Sequence, residues 1–197
     1  MSVIWIVVII VVLVILAAIG VMGLLKSRQE RSARLQSQFG PEYDRKVEET
    51  GKQRTAESAL RDREKRHKKL ELRDLTAEEQ RRYREEWDRI QQRFVDEPGR
   101  AVEDADGLAT RIMNDRGYPV DNFEQRAADV SVDHPKVVQH YRAAHGVAVE
   151  HERGEADTEK LRGAVTSYRA LVDVLLEDRQ GTTSQADESA EGDQARD

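Results

Sequence analysis

One uninterrupted apolar run near the start constrains this chain more than any other feature. Val3–Leu25 contains apolar side chains at every position except Gly20 and Gly23. As an α-helix the run would be about 34 Å long, which is enough to cross a hydrocarbon core of about 30 Å. No charged residue precedes it, and it is longer than the apolar region of a secretory signal. We therefore predict an uncleaved transmembrane helix over residues 3–25.

Basic residues follow the apolar run at once and predict its orientation. Lys26, Arg28, Arg31 and Arg34 are opposed in this flank by Glu30 alone. Because basic flanks are retained in the cytoplasm, we expect an inner or plasma membrane protein with its N-terminus outside and its C-terminal domain in the cytoplasm. The run contains no ionisable residue, so it does not predict a transporter, a channel or a proton relay.

Beyond the run the chain is rich in charge and poor in apolar residues. Charged residues make up 36% of the 197, and the hydrophobic share of 38% is unevenly spread, because 21 of the 23 positions of the run are apolar. Such a composition supports one small core at most. The chain has no cysteine, which excludes disulfides, thiolate zinc sites and a cysteine nucleophile.

Helical spacing of the apolar residues predicts an all-α fold beyond the membrane. Residues 26–73 hold few apolar positions and predict a charged helical stalk, with breaks at Gly40-Pro41 and Gly51. Residues 74–179 predict a helical bundle domain, and residues 180–197 predict a disordered acidic tail. The sequence Thr76-Ala-Glu-Glu79 is a capping box that begins the first helix of the bundle.

The bundle is predicted to contain four main helices and one short helix, and these helices pack against one another through their apolar faces. Asp121 or Asn122 begins the short helix, and Asp157 or Thr158 begins the last one. The predicted core positions are Tyr83, Trp87, Ile90, Phe94, Val102, Ala105, Leu108, Ala109, Ile112, Met113, Phe123, Ala127, Ala128, Val130, Val137, Val138, Tyr141, Ala144, Val147 or Ala148, Leu161, Ala164 or Val165, Tyr168, Leu171 or Val172, and Leu175 or Leu176.

Charge is separated along the chain. Residues 26–73 carry a balance of +6 and residues 74–197 a balance of −12. The densest basic run forms a candidate basic surface of Arg61, Arg63, Lys65, Arg66, Lys68 and Lys69. A solvated helical face and a surface for anionic lipid are both compatible with this run. Nucleic acid is disfavoured, because the run lacks aromatic residues and the chain is acidic overall.

No pattern in the sequence predicts a catalytic centre, a metal site or a cofactor. His134, His140, His145 and His151 follow one another at steps of six, five and six residues. Those steps turn the imidazoles to different faces of a helix, whereas a metal pair needs steps of three or four. Nucleophile elbows, phosphate-binding loops and dinucleotide fingerprints are absent from the sequence.

Several stretches carry a resemblance to a known group of proteins. They are Phe39–Arg45, Val47–Gly51, Arg93–Pro98, Tyr141–His145 and, most densely, Arg116–Pro135. On these stretches the chain resembles a family of uncharacterised bacterial single-pass membrane proteins. The resemblance implies the architecture described above and supplies no activity, ligand or cofactor.

The densest stretch has two interpretations. Gly117, Pro119 and Pro135 set backbone angles, so the stretch is compatible with a tightly specified turn. Alternatively, Tyr118, Asp121, Asp133 and His134 form a candidate interaction surface.

Three functions follow as expectations. The first is a non-enzymatic, membrane-tethered helical module or scaffold that docks another protein. The second is a peripheral protein that acts on anionic lipid through the basic stalk. The third is an enzyme with a site within residues 118–145. We expect the membrane and another protein as partners, with anionic lipid as an alternative, and neither nucleic acid nor a cofactor.

Overall fold

The computed structural model describes Met22, Lys26 and residues 29–177 of the chain. The regular structure in this part is helical, which confirms the all-α fold class. The helices are α1 (29–39), α2 (Pro41–Thr50), α3 (Gln53–His67), α4 (Ala77–Arg93), α5 (Pro98–Asp115), α6 (Phe123–Asp133), α7 (Val138–Glu152) and α8 (Thr158–Leu176).

Two predicted segments fall outside this description. They are the transmembrane helix over residues 3–25, apart from Met22, and the tail over residues 180–197. Among the helices of the described part, none combines the length and the apolar character needed to cross a bilayer.

The chain divides into two compact units, Met1–Leu60 and Arg61–Asp197. The first unit shows the two predicted breaks, because Gly40 precedes α2 and Gly51 ends it with a φ of +64°. Pro41 occupies the first turn of α2, where its missing N–H costs no helical hydrogen bond. The helices are not uniformly solvated, since this unit buries Leu35, Phe39, Tyr43, Ala56 and Leu60.

A polar cluster links the three helices of the first unit. The Gln53 side-chain amide donates to the Ser32 hydroxyl at 2.6 Å and to the Tyr43 hydroxyl at 3.0 Å. The Tyr43 hydroxyl donates in turn to a carboxylate oxygen of Glu57 at 3.1 Å. Within this unit, the predicted stalk therefore consists of short helices joined by specific contacts.

The second unit is a helical bundle, as predicted. The Thr76 hydroxyl accepts from the Glu79 amide and Glu79 accepts from the Thr76 amide, which confirms the capping box. The Arg73 guanidinium also bonds the Glu79 carboxylate and holds its pKa at about 2. α5 packs against α4, α7 and α8, and α7 also packs against α6 and α8.

The predicted core positions line the interior of this bundle. Most are buried, and the others are partly buried against them: Phe94, Phe123, Val137, Val147, Ala148 and Val165. α5 begins at Pro98, because proline is favoured in the first turn of a helix. Asn122 and Asp157 cap α6 and α8 through their side chains.

The linker between α3 and α4 is fixed against the C-terminal end of α5. The Arg73 amide donates to the Arg116 carbonyl at 3.0 Å. Gly117 has a φ of +92°, and a Cβ at this position would lie 2.6 Å from the Glu71 carbonyl oxygen. Only glycine satisfies both the left-handed backbone and this close approach. The linker therefore holds the C-terminal end of α3 close to the bundle core.

Candidate functional site

The structure brings together parts of the two candidate surfaces predicted from the sequence. The Tyr118 hydroxyl donates to Asp133 Oδ2 at 2.6 Å, and His67 Nε2 lies 2.9 Å from the same oxygen. One turn earlier on α3, Arg63 donates to the Ser131 hydroxyl at 2.7 Å. We call these five residues the α3–α6 junction.

Burial makes the α3–α6 junction an internal feature. Tyr118 is 3% exposed, and Arg63 and His67 are each 6% exposed. Tyr118 and His67 have Asp133 as their hydrogen-bond partner and Arg63 has Ser131, and such partners offset the cost of burying polar groups. Tyr118 and Arg63 are therefore not available as the interaction and basic surfaces on which the sequence placed them.

The other two residues of the predicted interaction surface lie beside the junction. Asp121 is exposed in the turn before α6, and His134 is half-buried directly after α6. The His134 amide donates to the Val130 carbonyl at 2.8 Å and so closes the helix. Of the four predicted residues, the structure thus buries Tyr118, leaves Asp133 and His134 half-buried, and exposes Asp121.

The remaining basic residues form one outward-facing surface. Arg61, Lys65, Arg66, Lys68 and Lys69 are exposed, and we call this set the basic face. At about 100° per residue, Arg61 and Lys65 each lie about 160° around α3 from the inward-facing Arg63, and Lys68 and Lys69 follow in the turn after α3. The α3–α6 junction therefore fixes which cations face outward.

Acidic neighbours offset the basic face in part. Lys68 Nζ lies 2.7 Å from a Glu64 carboxylate oxygen, and Lys65 Nζ lies 3.6 Å from one of Asp62. Lys65 and Lys68 remain largely exposed, with 74% and 68% of their side-chain surface accessible. Exposed pairs of this kind contribute about 0.2–1 kcal/mol, so a competing anion can replace the local partner. Residues 61–69 contain six Lys/Arg and two acids, which leaves an excess of positive charge.

A second polar network lies in the bundle and was not predicted from the sequence. The Tyr168 hydroxyl donates to Asp106 Oδ1 at 2.9 Å, and His145 Nδ1 lies 3.8 Å from that oxygen. Arg126 lies 3.9 Å from the other oxygen of Asp106 and donates to the Tyr141 hydroxyl at 2.9 Å. These contacts connect α5, α6, α7 and α8.

The network shifts the pKa values of its members. Burial raises the pKa of Tyr141 to about 12, and burial also raises the pKa of Tyr168. Burial acts to raise the pKa of Asp106 as well, but contacts with His145, Tyr168 and Arg126 outweigh it and leave that pKa lowered. Asp106 is therefore a half-buried carboxylate, with 26% of its side-chain surface exposed, that the surrounding donors hold in its charged form.

An aromatic stack closes the network on its α6–α7 side. The rings of Phe123 and His145 are stacked with centroids 3.7 Å apart and an angle of 10° between their planes. Tyr141 contacts Phe123 edge-on at 5.0 Å. His145 is thus held between an aromatic ring and Asp106, which explains its partial burial.

A cleft of about 560 Å³ lies on α4, α5 and the turn that follows α5. It is lined by Arg82, Tyr83, Glu86, Thr110, Arg111, Asn114, Asp115 and Val120. Arg111 pairs with Glu86, and Asp115 accepts from the Tyr83 hydroxyl at 2.5 Å. Two arginines and two acidic residues line the cleft, so their formal charges balance.

Within residues 29–177 and the two isolated described positions, no group of three or more His, Asp or Glu side chains is arranged to hold a metal ion. The four histidines of the 134–151 region have separate surroundings. His145 joins the Asp106 network, His140 is exposed, and His151 packs against Gly99.

Comparison with known proteins adds no assignment. The chain matches no protein-family model, and neither a curated protein nor a solved structure matches it. The similarity of Arg116–Pro135 to bacterial single-pass membrane proteins therefore stays a prediction.

Proposed function

We propose that this protein is a membrane-tethered helical module that binds an acidic surface of another protein through its basic face. One observation carries the proposal. Five cations are exposed on the outer side of α3 and the turn after it, while Arg63 and His67 fix the opposite side inward. A fixed array of cations favours encounter with a complementary anionic surface and sets its orientation.

The surroundings of the basic face favour a protein partner over insertion into lipid. Helices that lie in a membrane interface combine cations with large apolar side chains. Among the described residues, the large apolar side chains that are exposed are Met22 and Val95. Neither belongs to the basic face, which offers charge without an apolar anchor. An acidic protein surface requires no such anchor.

The tether is proposed from the sequence alone. The apolar run Val3–Leu25 and the basic residues that follow it support a single span with the bundle in the cytoplasm. The full-length protein should stay in the membrane fraction when membranes are washed with alkaline carbonate. A reporter fused after Asp197 should be active as a cytoplasmic fusion. Activity of a reporter that works only outside the cytoplasm would refute the orientation.

Crosslinking of the full-length protein in its membrane tests the binding proposal. The variant Arg61→Glu/Lys65→Glu/Lys68→Glu reverses the basic face. A control variant, Arg81→Glu/Arg84→Glu/Arg89→Glu, makes the same charge change at exposed positions of α4. We expect the first variant to lose a reproducible crosslinked partner that the control retains, and we expect that partner to present an acidic segment. Equal capture by both variants would refute the proposal.

Anionic lipid is the alternative ligand for the same cations. A basic residue near an anionic membrane contributes about 1 kcal/mol, but only within a Debye length of about 8–10 Å. Flotation with vesicles of zwitterionic lipid, with and without phosphatidylserine, separates the two interpretations. Flotation of a fragment of residues 26–75 only with vesicles that contain phosphatidylserine would support the lipid interpretation. Binding to an acidic protein surface predicts no dependence of flotation on phosphatidylserine.

The enzyme interpretation of residues 118–145 can be tested by stability. Asp133 accepts from Tyr118 and contacts His67, so we propose that it acts in folding. Asp133→Ala should lower the melting temperature, and any loss of a cellular phenotype should accompany this decrease. A phenotype lost at unchanged melting temperature, for Asp133→Ala, His134→Ala or His145→Ala, would instead support catalysis.

A further inference from the structure

We propose that the acidic C-terminal segment of this chain, residues 178–197, docks on the basic face and competes there with the external partner. The segment contains six Asp/Glu and two Arg, whereas residues 61–69 contain six Lys/Arg and two acids. The two stretches are therefore complementary in sign and similar in excess charge.

The described part of the chain ends close to the linker that follows the basic face. Arg116 donates through one nitrogen to the Leu175 carbonyl at 2.6 Å and to the Glu177 carbonyl at 3.1 Å. Its other terminal nitrogen lies 3.3 Å from a carboxylate oxygen of Asp74. A single side chain thus joins the end of α8 to the α3–α4 linker.

The remaining distance to the basic face is short compared with the length of the segment. Asp74 follows Lys69 by five residues, which span about 18 Å at most. The 20 residues from 178 to 197 can extend over about 66–72 Å. Every cation of the basic face is therefore within reach, and the linkage gives the segment an effective concentration of the order of millimolar.

Occupation by the segment would regulate the site of the proposed function. If the segment covers the basic face for about nine tenths of the time, its removal should tighten partner binding about tenfold. This consequence rests on the proposed function. The docking itself involves no external partner, so it can be tested separately.

The absence of cysteine allows a single spin label to be placed in the segment. Ser189→Cys lies among Asp187, Glu188, Glu191 and Asp193, and can carry a nitroxide in the full-length chain in zwitterionic nanodiscs. Paramagnetic broadening of the backbone amide signals then reports which residues the segment approaches. We expect the signals of residues 61–69 to lose more intensity than those of residues 81–89, which also carry exposed cations.

Neutralisation of the segment distinguishes charge-driven docking from mere proximity. The variant Asp187→Asn/Glu188→Gln/Glu191→Gln/Asp193→Asn should restore the signals of residues 61–69. One molar NaCl should do the same, because it shortens the Debye length to about 3 Å. Equal broadening at residues 61–69 and 81–89, or broadening that survives neutralisation, would overturn the proposal. Either result would leave the crosslinking test of the external partner unaffected.

Discussion

The buried Arg116 provides the most informative test of how the bundle is held together. Its side chain is 1% exposed, and its guanidinium donates to the carbonyls of Leu175 and Glu177 at the end of α8. It also pairs with Asp74 in the α3–α4 linker. Arg116→Met keeps an unbranched apolar stem of comparable shape and removes all three interactions. The substitution therefore separates the polar function of this residue from its volume.

The expected loss follows from the groups left behind. Breaking a buried charge pair costs about 3–5 kcal/mol when the remaining charge is trapped inside the protein. Asp74 keeps 33% of its side-chain surface exposed, so it can be rehydrated. The Leu175 carbonyl instead loses a partner, at a cost of about 1–3 kcal/mol. The lost bonds to the Glu177 carbonyl and Asp74 add to this, and we expect Arg116→Met to lower the free energy of unfolding by about 3 kcal/mol.

Urea denaturation followed by tryptophan fluorescence measures this loss. Trp87 is buried in the bundle, and Trp5→Phe makes it the only tryptophan of the chain. Arg111→Met serves as the control, because its ion pair with Glu86 is partly exposed and should contribute less than about 1 kcal/mol. A loss below about 1 kcal/mol for Arg116→Met, or equal losses for the two variants, would refute the reasoning.

Three further predictions concern close packing and charge in the bundle. Gly117→Ala should destabilise the protein by about 2–3 kcal/mol in the same urea assay, because it combines a positive φ with a Cβ placed 2.6 Å from the Glu71 carbonyl oxygen. Gly99→Ala would place a Cβ 2.0 Å from the His151 ring, so His151→Ala in the same chain should restore most of the lost stability. Because the pKa of Asp106 is lowered in the folded protein, its carboxylate contributes to the free energy of unfolding at neutral pH, and this contribution is lost as pH falls through that pKa. Asp106→Asn should therefore lower the free energy of unfolding at pH 7 and make its decrease between pH 7 and pH 3 smaller. An unchanged pH dependence, or no rescue by His151→Ala, would contradict these assignments.

Local signals in the sequence predict much of the bundle. The Thr76–Glu79 capping box, Asn122 and Asp157 each combine a helix-starting side chain with an apolar periodic segment, and each begins a helix in the structure. The predicted core positions share helical spacing and become buried together. These features depend on residues a few positions apart, which is the range at which sequence patterns are informative.

The α3–α6 junction depends on residues far apart in the chain. Arg63 and Ser131 are 68 positions apart, and His67 and Asp133 are 66 positions apart. The sequence groups Arg63 with its basic neighbours, because charge alone does not show which face of a helix turns inward. Counted from Ala56, three residues follow at helical spacing: Leu60 after four positions, Arg63 after seven and His67 after eleven. This spacing places all four on one face of a helix, and it is the sequence signal of an inward face.

The Asp106 network was missed for a related reason. Its members come from four helices, and each is an ordinary residue on its own helix. A carboxylate on a charge-rich helix is predicted to be solvent-exposed until its partners on other helices are known. Folding places Tyr168 and Arg126 around Asp106, and their contacts stabilise its charge where burial alone would not.

Photocrosslinking in living cells tests the central claim most directly. Benzoylphenylalanine at position 65 places the probe on the basic face, and the same residue at position 89 places it on an exposed part of α4. The proposed function predicts a discrete adduct with an acidic partner in the membrane fraction from position 65, and its loss when Arg61→Glu and Lys68→Glu are added. Adducts of equal yield from positions 65 and 89, or an adduct from position 65 that survives these reversals, would contradict it.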